Sequence, residues 1–233
     1  MSGINRIQNL REETRTAVAQ RNATPFREIW FRDGDQAFVT SVATGADDDV
    51  LLDEISLYTF RSGTRFVNLL NEDGVDLSSV PGDVRPSRKF AFWTYVHEII
   101  HGERRDDSWE AIDGPGGRKM YKEIVNDYKI VCLGFGRNDY LWNQLVDVFN
   151  DWDSLDKGVM RIKRTGAGLD TSYAIATTAR DSEIPADALM AKDDLPPIKE
   201  YFRERYGALW VPGPSGDNGA TQVKAETGFA ELF

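Results

Sequence analysis

The sequence predicts a mixed α+β protein built on a small β-barrel, and a group of neighbouring segments carries that prediction. Residues 130–133 form an apolar run that ends at Gly134-Phe135-Gly136, which is typical of a buried strand followed by a turn. A helical repeat of apolar residues comes next. A basic strand at residues 158–164, a turn and a last strand at residues 172–177 complete the order. Strand, helix, strand, turn and strand form the skeleton of a small mixed barrel.

The helix predicted after Gly136 has one apolar face. Its apolar side chains recur at i, i+1, i+4, i+7 and i+8, a spacing that places them on one stripe of an α-helix. They are Leu141, Trp142, Leu145, Val148 and Phe149. Asn138 or Asp139 can cap this helix, because a short polar side chain accepts hydrogen bonds from the free amides of the first turn.

The strand at residues 158–164 alternates between apolar and basic residues. Successive side chains of a strand point to opposite faces, so Arg161 and Lys163 share one face with Val159, while Met160 and Ile162 share the other. A glycine-bearing turn at residues 166–168 leads into the last strand. One face of the predicted barrel therefore displays basic side chains.

The first half of the chain predicts a hairpin and a central strand. Residues 26–42 hold two apolar-aromatic runs around Asp33-Gly34-Asp35, where glycine accepts the positive φ that a tight turn requires. Residues 90–99 alternate and are rich in aromatic and β-branched side chains, which favours a strand. Residues 71–86 contain many turn-forming residues and predict a linker.

The composition is that of an ordinary globular protein, and the chain is acidic overall. Its 233 residues include 28 basic and 38 acidic side chains, so the net charge is −10. A local basic groove remains compatible with this balance, because local charge decides binding.

The single cysteine, Cys132, excludes an intramolecular disulfide and indicates a reducing compartment. No apolar run reaches the ~20 residues of a membrane span, and the polar N-terminus is unlike a signal peptide. We expect a cytoplasmic protein, in the host cell if the protein is viral.

Three segments, taken in order, resemble the T-even-type phage single-stranded DNA-binding proteins, which are helix-destabilising replication and recombination factors built on an OB-fold. Residues 85–99 resemble the basic-then-aromatic strand of that family. Residues 134–142 resemble its strand end and helix start, and residues 158–178 resemble its last hairpin with a tyrosine in the returning strand. The resemblance implies an OB-fold-like β-barrel core with an inserted loop-rich subdomain, short helices and a flexible C-terminal tail.

The family carries a zinc ribbon near the position of residues 57–70, and this sequence departs from that pattern. One cysteine cannot supply several thiolate ligands, so a ribbon of that kind cannot form. We therefore expect the inserted subdomain to fold without metal. We also expect no cofactor and no enzymatic activity.

Three segments combine basic with aromatic residues, a pairing that binds single strands because cations track the phosphates while bases stack on flat rings. The predicted DNA-binding residues are Arg88, Lys89, Phe92, Trp93 and Tyr95, then Phe135, Arg137 and Tyr140, and then Arg161, Lys163, Arg164 and Tyr173. Arg118 and Lys119 add a second basic patch. Alternation prevents Phe92 and Trp93 from facing one groove, and we expect at least half of the rings to be buried. The predicted ligand is single-stranded DNA.

A competing motif lies at the end of the central strand. His97-Glu98-Ile99-Ile100-His101 matches H-E-x-x-H, in which two imidazoles on one helix face bind zinc and the glutamate activates water. Glu123 stands downstream, where a third ligand could fall. The motif needs a helix, whereas residues 90–100 favour a strand. A zinc-dependent hydrolase is thus one alternative, and a phage structural or interaction protein that kept the OB-fold is another.

The chain divides into a predicted arm, a domain and a tail. Residues 1–24 are polar and arginine-bearing, and they form either a solvated helix or an arm that docks on a second copy, as the family's basic arm does. Residues 25–207 form the nucleic-acid-binding domain, in which residues 198–206 predict a short amphipathic helix. Residues 208–233 predict a disordered tail whose acidic and aromatic tip could recruit replication proteins.

Overall fold

The computed structural model describes residues 26–45, 50–62, 65–167, 170–180 and 184–207. These residues form a mixed α+β structure with a mostly antiparallel sheet of eight strands and short helices. The strands are β1 Gln36–Ser41, β2 Leu52–Ser62, β3 Arg65–Leu70, β4 Ser87–His101, β5 Glu110–Asp113, β6 Lys119–Gly134, β7 Met160–Thr165 and β8 Ser172–Thr177. The helices are α1 Tyr140–Trp152, α2 Ala186–Ala191 and α3 Ile198–Tyr206, with 3-10 turns at Pro115–Gly117, Arg137–Asp139 and Lys192–Asp194.

Strand β4 organises the sheet. The strand order is β3-β2-β4-β1-β7-β8, and β6 pairs with both β4 and β5. One edge of β4 pairs with β6 from Lys89 to His101, while its other edge pairs with β1 from Thr94 to Ile100. β1 then pairs with β7 and β7 with β8. The central strand predicted at residues 90–99 is confirmed and is longer than its alternating core.

The main hydrophobic core covers one face of β1, β4, β6, β7 and β8. Strand alternation sends Ala37, Val39, Met160 and Ile162 into this core, and α1 adds the stripe of Leu141, Leu145 and Val148. The predicted helix and the predicted strands on either side of it are therefore confirmed, with the predicted alternation in β7.

The predicted cap of α1 is wrong in its mechanism. Asp139 occupies the N-cap position, but its φ is 56° and its side chain makes no capping hydrogen bond. The carbonyl of Phe135 instead accepts a hydrogen bond from the Leu141 amide at 2.9 Å. A backbone carbonyl replaces the predicted side-chain cap because residues 136–139 form a tight turn, in which Gly136 and Asn138 also have positive φ values of 79° and 54°.

The hairpin predicted at residues 26–42 is also wrong, although its turn is present. Gly34 has a φ of 81°, and the Asp35 amide donates to the Arg32 carbonyl at 3.0 Å. The segment before the turn bridges β6 in parallel, with the Ile29 amide donating to the Ile130 carbonyl at 2.8 Å. It cannot pair with β1, because β4 and β7 already occupy both edges of that strand.

The described residues divide into two compact units. One contains residues 26–54 and 88–198 with the core just described, and the other contains residues 55–87 and 199–207. In the second unit Phe60, Val67 and Leu69 of the β2–β3 hairpin form a small core. Val75, Leu77, Val80 and Val84 pack against it. Residues 71–86 are therefore more than the predicted linker, because their apolar side chains contribute to packing.

The predicted helix at residues 198–206 is confirmed as α3. Its side chains Tyr201, Phe202 and Tyr206 are buried, and the rings of Phe202 and Tyr206 lie 5.7 Å apart. Within the described ranges, no helix is long and apolar enough to cross a membrane. The predicted arm at residues 1–24 and the predicted tail at residues 208–233 lie outside the described residues.

Candidate nucleic-acid interface

Strands β1 and β7 display a polar face opposite the main core. Met160 and Ile162 enter the core, so Arg161 and Lys163 lie on the opposite side, where both are exposed. In the neighbouring strand β1, Phe38 is directly opposite Arg161 and Gln36 is directly opposite Lys163. Directly opposed residues share one face of a sheet, which joins these four side chains into one surface.

The same surface continues across β4 and β6. Glu98 of β4 is opposite Phe38, and Ile124 of β6 is opposite Glu98. In the adjoining row Ile100 is opposite Gln36, and Lys122 is opposite Ile100. We call this surface the outer face, and its members are Gln36, Phe38, Glu98, Ile100, Lys122, Ile124, Arg161, Lys163 and the adjoining Arg180. Ala174 and Ala176 of β8 flank it and leave Arg161 and Lys163 accessible.

Two basic side chains of the outer face, Arg161 and Lys163, make no ion pair with the described residues, whereas the other two basic side chains do. Lys122 pairs with Glu110 at 2.6 Å, and Arg180 pairs with Glu98 at 2.6 Å. For Arg161 and Lys163, by contrast, the described residues provide no carboxylate within salt-bridge distance. The face therefore carries free positive charge in a protein whose net charge is −10. An anionic ligand could use that charge without first breaking an ion pair.

A second group of predicted residues lies at the start of β4 and α1. Arg88 makes a bidentate ion pair with Glu54, at 2.6 and 2.7 Å, and its guanidinium lies 4.9 Å from the centre of the Phe135 ring. Phe135 in turn packs against Phe90 and Trp142. The charge of Arg88 is thus already paired, unlike that of Arg161.

The turn before α1 holds the remaining exposed residues of this group. Arg137 is exposed, and Tyr140 is 56% exposed with its hydroxyl accepting from the Gln144 amide at 2.8 Å. Lys89 is half-buried opposite Gly134. Arg137 and Tyr140 therefore place an exposed cation and a largely exposed ring within one turn.

The aromatic residues predicted from β4 are buried, which corrects their role. Phe92, Trp93 and Tyr95 are 0, 1 and 2% exposed. The Trp93 indole donates to the Pro196 carbonyl at 2.8 Å, and the Tyr95 ring lies 5.4 Å from Tyr128 in an edge-to-face contact. Both faces of this part of β4 are covered, one by the main core and the other by residues near the end of the unit. None of the three rings offers a free face to a base.

Four further predicted DNA-binding residues make hydrogen bonds, an ion pair or a ring contact within the protein. Arg118 donates to the Gly102 carbonyl at 3.3 Å, and Lys119 pairs with Asp113 at 2.6 Å. Arg164 donates to the Phe31 carbonyl and, at 3.3 Å, to Thr171. Tyr173 packs edge-to-face on Phe31, with ring centres 5.9 Å apart, so burial raises the pKa of its hydroxyl. The structure does not bring these four together with Arg161 and Lys163 on the outer face.

The two histidines of the zinc motif do not converge. Residues four apart in a strand are separated by about 13 Å, and His97 and His101 both belong to β4. His97 hydrogen-bonds Thr40 at 2.9 Å, whereas His101 bonds Glu123 at 2.9 Å. Over the described ranges, no group of three histidine, cysteine or acidic side chains is arranged to hold a metal. This geometry does not fit the two-imidazole zinc site of a hydrolase.

His101 instead belongs to a buried charge network. Its Nδ1 lies 3.3 Å from the carboxylate of Asp35, which also accepts a hydrogen bond from Arg105 at 2.8 Å. The ring of Trp109 stacks on His101 at 3.9 Å. Asp35 is 1% exposed and His101 is 4% exposed. The network fastens the segment after β4 to the turn before β1.

The network shifts the pKa values of its members. Burial by itself would lower the pKa of His101, but hydrogen bonds to the carboxylates of Asp35 and Glu123 outweigh burial and the opposing charge of Arg105, so the pKa is raised. Burial would raise the pKa of Asp35, but His101, the Arg32 amide and Arg105 lower it. The folded protein therefore favours the charged forms of both groups.

We expect His101 to make stability decline with rising pH. Because its pKa is raised by folding, its contribution is complete below the unfolded value of about 6.5 and is lost as pH rises through the folded value. The contribution of Asp35, whose pKa is lowered, is already complete above about pH 4 and does not change in this range. Denaturant unfolding from about pH 6 to about pH 8 should show the decline, and His101→Gln should remove it.

His97 provides the control for this measurement. Burial lowers its pKa, so its contribution to stability is lost as pH falls below about 6.5, which is the opposite direction. His97→Gln should leave the decline above that pH in place. A His101→Gln protein with the wild-type pH profile would show that His101 is not charged in the folded state.

The sequence matches no protein-family model and no curated protein. The site must therefore be interpreted from its own geometry.

Sequence reasoning missed part of the outer face. Phe38, Lys122 and Arg180 join Arg161 and Lys163 there, and the sequence places them far apart in the chain. The alternation of Phe38 with Ala37 and Val39 is a local signal that it leaves the core. Which residues lie beside it depends on strand register, which local alternation does not specify.

Proposed function

We propose that this protein binds single-stranded nucleic acid through an OB-type barrel. We assign five strands to this barrel. Its first to fifth strands are, in order, β1, β4, β6, β7 and β8. The first pairs with the second and the fourth, the second with the third, and the fourth with the fifth. Helix α1 lies between the third and the fourth strand. This order of pairing supports an OB-fold, a partly open Greek-key barrel.

The remaining elements are insertions into that connectivity. Strands β2 and β3 lie in the connection between the first and second strands of the barrel, and β5 lies in the next connection. In the described part of the chain β6 and β8 do not pair, which agrees with a barrel left open between its third and fifth strands. OB-folds bind oligonucleotides on strand faces and adjoining loops.

The observation that carries the proposal is the uncommitted charge of Arg161 and Lys163 on the outer face. Proteins that bind single strands use cations to track phosphates and flat groups to stack bases. Phe38 lies directly opposite Arg161, and the flat guanidinium of Arg180 stacks on its ring, so cations and flat groups adjoin on one surface. The resemblance to phage single-stranded DNA-binding proteins favours DNA as the ligand, with a role in phage replication or recombination.

Titration with a thymidine oligonucleotide tests the function directly. The chain contains six tryptophans, whose fluorescence can report binding. Electrostatic binding predicts that the logarithm of the affinity falls linearly with the logarithm of salt concentration. A protein that binds no oligonucleotide at low salt would contradict this proposal and favour the structural or interaction protein considered as an alternative.

Replacing Arg161 and Lys163 together by Ala should weaken the salt dependence of binding. Each phosphate contact contributes about 0.7 to the slope for single strands, so the double variant should lose roughly one to two units. The control is Arg104→Ala with Lys157→Ala, which removes the same charge from exposed positions outside the outer face. Equal slopes for the wild type and the Arg161/Lys163 variant would exclude β7 from the site.

The proposal extends to partners through both ends of the chain. An N-terminal arm that contacts a second copy, and a C-terminal tail that recruits replication proteins, remain proposals about residues outside the described ranges. No described geometry favours the zinc-dependent hydrolase.

A further inference from the structure

Phe38 occupies an unusual place in the sheet. Its neighbours Ala37 and Val39 belong to the main core, whereas Phe38 points to the outer face. It lies between Arg161 on one neighbouring strand and Glu98 on the other. A large aromatic ring therefore stands in the centre of the surface that carries the uncommitted charge.

Arg180 covers this ring. Its guanidinium carbon lies 3.8 Å from the centre of the Phe38 ring, which is the spacing of two stacked flat groups. Glu98 holds the guanidinium in this position through a 2.6 Å ion pair. Phe38 lies beneath this guanidinium and is only 8% exposed, although the opposing residue Arg161 is exposed. The guanidinium therefore occupies the position over the ring that another flat group would need.

We infer that Phe38 is a base-stacking platform, and that Arg180 covers it until a base of a single strand takes its place. A nucleobase and a guanidinium are both flat groups that stack on an aromatic ring, and they cannot occupy the same position. This inference rests on the proposed function and adds a specific ligand contact to it, together with a group that competes for that contact.

Displacement of Arg180 is physically reasonable. Water reaches the exposed half of the Arg180 guanidinium and weakens its attraction to Glu98, so a phosphate group can compete for the same guanidinium. The Arg180 side chain is about half exposed and the Glu98 side chain is 15% exposed. Once released, the guanidinium can bind a phosphate oxygen pair, the geometry that arginine favours. The backbone nearby stays anchored, because the Thr178 amide and hydroxyl donate to the Val159 carbonyl at 3.1 and 2.7 Å.

The test compares two ligands of equal length and charge. One is a thymidine oligonucleotide, and the other is an abasic sugar-phosphate chain that offers phosphates but no bases. The ratio of their affinities measures the contribution of bases and cancels most of the effect of protein charge. We expect the wild type to prefer the thymidine chain.

Two variants should change this ratio in opposite directions. Phe38→Leu keeps an apolar side chain and removes the aromatic face, so the ratio should fall about tenfold. Arg180→Gln uncovers the ring, so the ratio should rise about two- to fivefold. Arg161→Gln is the matched control, because losing a phosphate contact weakens both ligands alike and leaves the ratio unchanged. Circular dichroism and a thermal melt of each variant establish that it is folded.

The outcomes separate the two proposals. A wild-type protein that binds neither ligand overturns the proposed function and this inference with it. A wild-type protein that binds both, with a ratio that neither Phe38→Leu nor Arg180→Gln changes, overturns the inference alone and leaves Phe38 as packing for Arg180.

Discussion

Replacing Asp35 by Ala should lower the free energy of unfolding by about 3–5 kcal/mol, because it leaves buried positive groups without their partner. The Asp35 carboxylate accepts hydrogen bonds from the Arg32 amide at 2.9 Å, the Gly102 amide at 3.3 Å and the Arg105 guanidinium at 2.8 Å. It also faces His101. Chemical denaturation near neutral pH measures the loss.

Asp113→Ala is the control for Asp35→Ala. Asp113 also pairs with a cation, Lys119 at 2.6 Å, but its side chain is 78% exposed. An exposed pair contributes about 0–1 kcal/mol, so this variant should remain close to the wild type. Similar losses for the two variants would mean that burial does not strengthen the Asp35 network.

Replacing Phe92 by Ala should also lower the free energy of unfolding of the otherwise unchanged protein by about 3–5 kcal/mol, the usual cost of removing a large core side chain. Phe92 is fully buried and stacks on Phe90 with ring centres 6.1 Å apart. Oligonucleotide affinity, measured where the variant is still folded, should be unchanged, because the ring does not reach the surface. Stability and binding must be measured on the same preparation.

Tyr140→Ala is the matched comparison for Phe92→Ala. Tyr140 is exposed, so truncation should alter the free energy of unfolding by no more than about 0.5 kcal/mol. Unchanged stability together with weaker oligonucleotide binding in Phe92→Ala would restore the stacking role predicted from the sequence.

The sequence by itself predicted the elements whose signals are local. Alternation identified β4 and β7, an apolar run before glycine identified the end of β6, and a helical repeat identified α1. These patterns depend only on residues within one element, and burying an apolar face is the main requirement on each of them. The exposure of Arg161 and Lys163 opposite Met160 and Ile162 followed from the same alternation.

Only the tertiary structure decided which aromatic residues reach the surface. Alternation places Phe92 and Trp93 on opposite faces of β4, and either face could have been open. Both are covered, because the main core lies on one side and the Trp93 indole meets Pro196 on the other, about a hundred residues away in the chain. A contact of that separation has no local signature.

Strand register and the occupation of strand edges were likewise decided by tertiary structure. The predicted hairpin did not form, because β4 and β7 occupy both edges of β1. The predicted strand at residues 90–100 did form, and on it His97 and His101 contact Thr40 and Glu123 of different neighbouring strands, so the alternative zinc pair does not form. Register also placed Phe38 beside Arg161 and beneath Arg180. Local propensity specifies what a strand is, whereas the side chains beside it depend on which distant strand it pairs with, because the pairing partner is selected by the packing of the whole sheet.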